Sequence, residues 1–356
     1  MASPETGVRH TDAVVRRTTP TPKEGSVLST REGAEEKPVR LGVVGCADIA
    51  WRRVLPAAAA TPSVTVTAIA SRDPDKARRF AERFDCEPVT GYKALLDRDD
   101  IDAVYIPLPV GIRHDWVENA LHRDLHVLSE KPLTTNASSA EFLVGEARRL
   151  GLTLMEDFAF RHHSQHRAVA RLVEEGAIGA VRSLMCEFGV PERADDDIRY
   201  QSELGGGALF DVGVYPLGIT RALFGDDLHV VGASLRFGRG VDLGGGVLVE
   251  APGGVTVHLG FGLGTGYRNT YTLWGEKGSI TVDRAFTPPR TLAPLVDLET
   301  GSGARRIGLE PDHQFLNLLE AFADGVNGRV PVATDPILAQ ARLVDRVRAA
   351  AAPSGA

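Results

Sequence analysis

The sequence predicts an α/β protein in two parts: a doubly wound parallel sheet, followed by an α+β part on an open, mostly antiparallel sheet. Three observations carry this reading. Between residues 41 and 155, short apolar runs alternate with helical stretches, as in strands joined by helical crossovers. The first of these runs breaks at Gly45 into a tight turn that leads into a helix. From Val181 onward the apolar period shortens to two, so that Val255, Val257, Leu259 and Phe261 alternate with Thr256, His258 and Gly260.

Taken in order, residues 1–38 are rich in Thr, Pro, Glu, Ser and Gly and lack hydrophobic periodicity. A disordered extension is expected there, with no apolar region of a secretory signal. Residues 39–160 form the expected dinucleotide-binding part. Residues 41–44 read as a buried strand, and Gly45-Cys46-Ala47-Asp48-Ile49-Ala50 occupies the place of a G-x-G-x-x-G/A turn before a helix running to about residue 60. Gly45 supplies the turn, Ala50 permits close packing of helix on strand, and Ala47 replaces the second glycine with a methyl group. Residues 64–70 predict the second strand, ending in Ser71-Arg72-Asp73-Pro74. An acid at such a strand end selects NAD, whereas Ser and Arg can hold the 2′-phosphate of NADP. Asp73 could be that acid, but Asp73-Pro74 also fits an N-cap and first helical residue for a helix over 74–84, and the capping role is favoured. Ser71 and Arg72 then point to NADP(H).

A short segment at 87–90, a small helix at 92–96, strands at 102–108 and 126–129, helices at 112–123 and 138–149, and a strand at 152–155 complete the alternation. Residues 161–352 form the expected substrate and oligomerisation part. It contains a helix over 205–224 that Pro216 must kink or restart, a hairpin around GEKG, an amphipathic helix marked by Phe315, Leu318, Leu319 and Phe322, and a last helix begun by Asp335-Pro336. A net charge of −7 and no basic stripe argue against nucleic acid or an anionic membrane surface. No apolar run spans a bilayer, and the three scattered cysteines fit structural thiols in a cytoplasmic protein.

GVVGCADIA at 42–50, ASRDPDKARRFAERF at 70–84, EKP at 130–132 and GGGALFDVGVYPLG at 205–218 resemble the glucose–fructose oxidoreductase/inositol dehydrogenase family from residue 39 onward. The resemblance implies a Rossmann domain, a mixed-sheet domain, a nicotinamide cofactor and a sugar or polyol substrate. The WRR after CADIA and DVGVYP are most similar to NADPH-dependent ketoreductases of nucleotide-linked (dTDP) 3-keto-deoxysugars in antibiotic pathways. Reduction of a ketone needs a hydride at carbon and a proton donor at oxygen. Lys131, past a strand end in the Rossmann half, matches the family lysine that reaches substrate and nicotinamide ribose. Tyr215, one helical turn from Asp211, stands where many sugar-oxidising relatives have histidine; with a pKa near 10 it is a proton donor at neutral pH.

By the same resemblance Asp211, His162 and Tyr267 are expected at the substrate. Gly45, Cys46, Ala47, Asp48, Ile49, Ala50, Trp51, Arg52, Ser71, Arg72, Leu108, His114, Glu130, Lys131, Arg161 and Arg199 are expected at the cofactor. His162, His163 and His166 have no carboxylate partner at ligand spacing, so no metal is expected. A homodimer or homotetramer is expected. An oxidative NAD(P)-dependent sugar or polyol dehydrogenase would favour histidine at 215 and an acid at 72; a non-catalytic cofactor-binding regulator would lack the lysine.

Overall fold

A computed structural model describes residues 37–351. The expected N-terminal extension, apart from its last two residues, lies outside them. The first sheet has six parallel strands: β1 (Val39–Val44), β2 (Val64–Ser71), β3 (Glu87–Thr90), β4 (Ala103–Ile106), β5 (His126–Glu130) and β6 (Leu154–Asp157), in the spatial order β3-β2-β1-β4-β5-β6. The order reverses between β1 and β4. The loops leaving these strands therefore diverge, opening a crevice at the carboxyl edge, where ligands bind in open α/β sheets.

The helices follow the sequence pattern closely. After β1 a π-helical turn, Ala50–Val54, runs into α1 (Leu55–Ala58). Helix α2 (Pro74–Phe84) starts as expected: the Asp73 carboxylate accepts from the N–H groups of Asp75 and Lys76 at 2.9 and 3.2 Å, with Pro74 in the first turn. Helices α3 (Tyr92–Leu96), α4 (Val110–Leu121) and α5 (Ala137–Leu150) complete the crossovers.

The second part begins with α6 (Ser164–Glu174) and an eight-stranded mixed sheet. Its strands are β7 (Val181–Val190), β8 (His229–Gly238), β9 (Val241–Ala251), β10 (Val255–Leu263), β11 (Arg268–Gly275), β12 (Gly278–Asp283), β13 (Leu295–Thr300) and β14 (Gly303–Gly308). Only the β7–β10 pair is parallel. Its inner face packs Leu184, Cys186, Phe188, Val257, Leu259, Tyr271 and Leu273 into one core with α7 (Val214–Phe224). The outer face carries Met185 and Trp274, 58% and 63% exposed.

Helices α8 (Gln314–Val326) and α9 (Asp335–Ala351) end the described chain. Helix α8 returns to the first sheet: Leu318, Leu319, Phe322 and Ala323 are buried against Leu41, Ala50, Leu55 and Tyr105. The 161–352 segment thus contributes a helix to the core of the part that precedes it. Helix α9 bridges the halves, with Ile337 in a Rossmann-side cluster and Leu343, Val344 and Val347 in the second core.

Pro216 neither breaks nor restarts its helix. A π turn over Leu209–Gly213 runs directly into α7, and the wider turn accommodates the proline ring.

Candidate active site

A cleft of about 530 Å³ lies where the carboxyl edge of the first sheet meets the inner face of the second. One wall is the turn after β1. Gly45 sits at φ +117°, a backbone conformation that favours glycine, and a Cβ there would come within 2.8 Å of Leu108 Cδ2, which would have to shift. Ala47, Asp48, Ile49 and Arg52 follow it along the cleft, with Leu108 beside them. The Ala47 methyl is half-buried in this wall. Behind the turn, Cys46 is buried and its thiol is pushed up to about 11 by burial, a structural thiol. Ala50 is fully buried under the first sheet's helices.

At the adjoining strand end, Ser71 is buried and its hydroxyl accepts from the N–H of Asp73 at 3.1 Å. Arg72 is exposed and lies beside the Tyr92 hydroxyl. Asp73 is committed to its helix cap, so the charge presented at this strand end is that of Arg72.

The deep wall holds the reactive groups. Lys131 follows β5, and its ammonium donates to the Asp211 carbonyl at 2.5 Å and lies 3.6 Å from an Asp211 carboxylate oxygen. It also stands 4.8 Å from the centroid of the Tyr215 ring. Asp211 lies in the π turn Leu209–Gly213, whose last five-back bond runs from the Val214 N–H to the Leu209 carbonyl. A carbonyl oxygen has two lone pairs, so that of Asp211 can accept from Lys131 beside any bond within the helix.

Asp211 is shared. Its other carboxylate oxygen accepts from Arg199 Nε at 2.6 Å, and Arg199 also pairs with Asp197 at 3.0 Å. Burial alone would raise the Asp211 pKa, but the Lys131 and Arg199 cations bring it below the usual carboxylate range. For Lys131 burial prevails and lowers the pKa, against the opposing pull of Asp211 and Glu130. Tyr215 is half-buried, with its ring packed among Phe158, Phe160, Phe188 and Phe286 at centroid distances of 5.1–5.8 Å. Its hydroxyl has no hydrogen-bond partner from the protein among the described residues. Burial, then the nearby Glu130, Asp211 and Asp157, raises its pKa well above 10, so it stays protonated. Tyr267 closes the rim, held by Asn269 at 3.0 Å and Thr287 at 3.3 Å, with Arg284 4.8 Å over its ring.

The structure therefore gathers Lys131, Tyr215, Asp211, Arg199, Glu130 and Tyr267 with Ala47, Asp48, Ile49, Arg52 and Leu108 around one cleft. Nine expected residues do not line it: Gly45, Cys46 and Ala50 lie behind the turn, Ser71 and Arg72 stand at the adjoining strand end, and Trp51, His114, Arg161 and His162 point elsewhere. Trp51 turns outward to α2, packing on Phe80 and Phe84 with Arg83 4.0 Å over its ring. His114 follows Arg113 on α4, and the helical rotation aims Arg113 inward and His114 at Phe142 on α5. In the 3₁₀ turn Ala159–His162, Phe160 faces the cleft. Arg161 and His162 point into a separate hollow with Glu156 and Asp324. The His162 pKa falls to about 4 through burial and the nearby Arg161 and Arg167. His163 caps α6 through its Nδ1, and His166 lies between the Tyr271 hydroxyl at 3.1 Å and the Ala285 carbonyl at 2.9 Å.

Several site residues were missed in the sequence. Arg113 is buried and donates to the carbonyls of Leu108, Glu130 and Pro132, tying the loops after β4 and β5 together. Asp157 ends β6 within the cleft wall, and Arg193 and Arg284 line its outer part. The legible signal for Asp157 was an acidic residue closing an otherwise buried parallel strand.

The turn fits a dinucleotide. Its backbone and the following helix start line the cleft, glycine is favoured at its first position, and the carboxyl-edge crevice lies at the strand-order reversal.

Comparison with known proteins agrees with this architecture. Residues 39–158 match the oxidoreductase family with the NAD-binding Rossmann fold (GFO/IDH/MocA), and residues 166–281 match the GFO/IDH/MocA C-terminal domain. The chain is 49% identical over 322 residues to a dTDP-3,4-didehydro-2,6-dideoxy-α-D-glucose 3-reductase of Actinomadura kijaniata, covering 89% of this chain and 97% of that protein. It is also 49% identical over 318 residues to the protein of that name from Streptomyces antibioticus, covering 88% and 97%. The crystal structure of a 3-ketoreductase from Actinomadura kijaniata with NADP and TDP-benzene superposes with a TM-score of 0.86 at 48% identity, covering 88% of this chain and 98% of that one. That enzyme has also been crystallised with a lysine or a tyrosine replaced, at positions 84 residues apart, the separation of Lys131 and Tyr215 here. With both domains matched in order and relatives almost half identical over nearly their whole length, this chain belongs to the GFO/IDH/MocA family of oxidoreductases.

Proposed function

We propose that the protein reduces the 3-keto group of a dTDP-linked keto-deoxysugar with NADPH, in the making of antibiotic deoxysugars. The observation that carries the reading is the Lys131–Tyr215 pair, an ammonium 4.8 Å from the ring of an unpartnered tyrosine in one cleft. The residue types and separation match the two positions altered in the Actinomadura enzyme. The turn from Gly45 to Ala50 holds the pyrophosphate, Ser71 and Arg72 the 2′-phosphate, and Glu130 and Arg199 flank the nicotinamide end. Bound there, NADPH supplies the hydride for the carbonyl carbon. Tyr215 gives its proton to the carbonyl oxygen, and Lys131 orients and polarises that oxygen while its charge favours the phenolate that Tyr215 becomes. Solvent then returns the proton. Asp211 and Arg199 hold Lys131 in place, and Tyr267, Arg193 and Arg284 meet the nucleotide side of the substrate.

The test is NADPH oxidation with dTDP-3,4-didehydro-2,6-dideoxy-α-D-glucose, with product identified by NMR. Stoichiometric NADP⁺ and a 3-hydroxy sugar are expected; no oxidation with this sugar, or faster turnover of NADP⁺ with D-xylose, would reject the reading. A second copy of the chain is proposed to cover the outer face of the β7–β14 sheet, where Met185 and Trp274 stand exposed.

A further inference from the structure

Beneath Lys131, the edge of the first sheet holds two carboxyl groups side by side. Glu130 and Asp157 are register partners on the parallel strands β5 and β6, so their side chains leave the same face of strands about 4.8 Å apart. Glu130 is 9% exposed and Asp157 4%. The Glu130 oxygens are occupied: one accepts from the Tyr105 hydroxyl at 2.8 Å, the other from the Lys131 N–H at 3.2 Å. Both Asp157 oxygens are shut off from water and make no hydrogen bond of ordinary geometry among the described residues, the Ala159 N–H being the one backbone donor near them. A carboxylate in that position would be a buried charge with only the Ala159 N–H near it and no well-formed hydrogen bond, beside another carboxylate. A carboxylic acid there would instead donate to Glu130.

The surrounding charges say which form is present. Asp157 is faced by Glu130 and Lys131 from β5 and its extension, Tyr105 from β4, Arg113 from α4, and Asp211, Tyr215 and Arg199 from across the cleft. The neighbouring Glu156 leaves the opposite face of β6 and accepts from the Leu133 N–H at 2.7 Å. The cations Lys131, Arg113 and Arg199 are matched by Asp211, by Asp197 on Arg199, and by Glu130. No cation is left for a second charge on the pair. In keeping with this, burial first and Glu130 second hold the Asp157 pKa well above the carboxylate range.

We propose that Asp157 carries a proton shared with Glu130, so that the two strand ends hold one negative charge between them, and that this pair is a positioning device for Lys131. The device keeps the ammonium charged without drawing it down from the cleft. Glu130 fixes the Lys131 backbone, the side chain remains free to reach Asp211, and Asp157 holds Glu130 in place. The role given to Lys131 rests on the proposed reduction; the shared proton does not.

Infrared spectra of the wild-type protein without substrate test the proton. At pH 9, where ordinary carboxyls are ionised and so is Glu156, whose pKa burial lifts only to about 7, the carbonyl stretch of a protonated acid should be present and should vanish in Asp157→Asn. Its absence overturns the proposal whatever the protein reduces, and no variant need fold for that measurement. The alkaline limb of kcat/KM with NADPH tests the positioning. Asp157→Asn and Glu130→Gln each leave one charge, so each should keep the limb close to its wild-type pH. The double variant removes the charge, lowers the Lys131 pKa and should move the limb down by about one unit or more. If Asp157→Asn alone moves it as far as the double variant, Asp157 is an anion and the proposal fails. If turnover is absent while the infrared band is present, the reductase reading fails and the shared proton stands.

Discussion

In the proposed reduction Lys131 and Tyr215 divide the chemistry, because their surroundings push them in opposite directions. Burial lowers the pKa of the lysine and raises that of the tyrosine, so the phenol is the stable proton carrier and the ammonium the adjustable charge. Tyr215→Phe should lower kcat by about two to four decades while NADPH affinity stays near wild type, because the ring keeps its contacts with four phenylalanines. Lys131→Ala should lower kcat and weaken NADPH binding as well, and the two losses should not multiply in the double variant. Near-normal turnover of Tyr215→Phe would move the proton to Lys131 or to water. At the other end of the cofactor, Arg72→Ala should cost about 1.5–3 kcal/mol of NADPH binding, or one to two decades of its preference over NADH. Equal binding of NADPH and NADH by the wild type would remove the basis for this. That Lys131 and Tyr215 meet in one cleft was legible because short motifs fix them, and the Asp73 cap because it acts within one turn. Asp157 and Arg113 carry no motif. Their importance arises from which strand or loop lies next to them, and that is set by register. Arg161 and His162 failed for the complementary reason: family likeness placed them near the site, but one tight turn decided that Phe160, not its neighbours, faces the cleft.

At the level of single elements, the two π turns share a plan. Each runs into an α-helix with a proline in its first turn, Pro56 two positions after Ala50–Val54 and Pro216 three positions after Leu209–Gly213. The second turn touches the cleft directly, since its Asp211 carbonyl accepts from the Lys131 ammonium and its Asp211 carboxylate from Arg199. Asp211→Asn keeps the carbonyl but removes the charge facing both cations. Loss of one charge-assisted hydrogen bond of about 1.5 kcal/mol should lower kcat/KM roughly tenfold. Unchanged kcat/KM would show that the Asp211 charge is incidental. The sequence announced a proline conflict in this helix and suggested a kink or restart. Hydrophobic periodicity cannot show that the chain resolves the conflict by widening one turn, because a π turn shifts the apolar face by a single residue. By contrast, helix α2 was legible to its first residue, since Asp73 and Pro74 act within one turn and need nothing from elsewhere.

For the whole molecule, the alternation of strands and helices up to Asp157 and the period of two beyond Val181 were enough to foresee both sheets. The second sheet's exposed face carries Met185 and Trp274, which fall out of phase with the buried positions of β7 and β11. If a second copy covers that face, Trp274→Glu should convert an oligomer to a monomer in light scattering at micromolar concentration; a wild type that is already monomeric would reject the covering partner. The destination of α8 was not readable. Its stripe of Leu318, Leu319 and Phe322 promised burial somewhere, and nothing local says that the partner is a core begun some 270 residues earlier. That return fixes an order of events during synthesis. The nucleotide-binding half leaves the ribosome first, yet its apolar surface around Leu55 stays uncovered until residues 314–326 have emerged. The half translated first is therefore the half finished last, and a nascent chain arrested before α8 should still need a chaperone's cover.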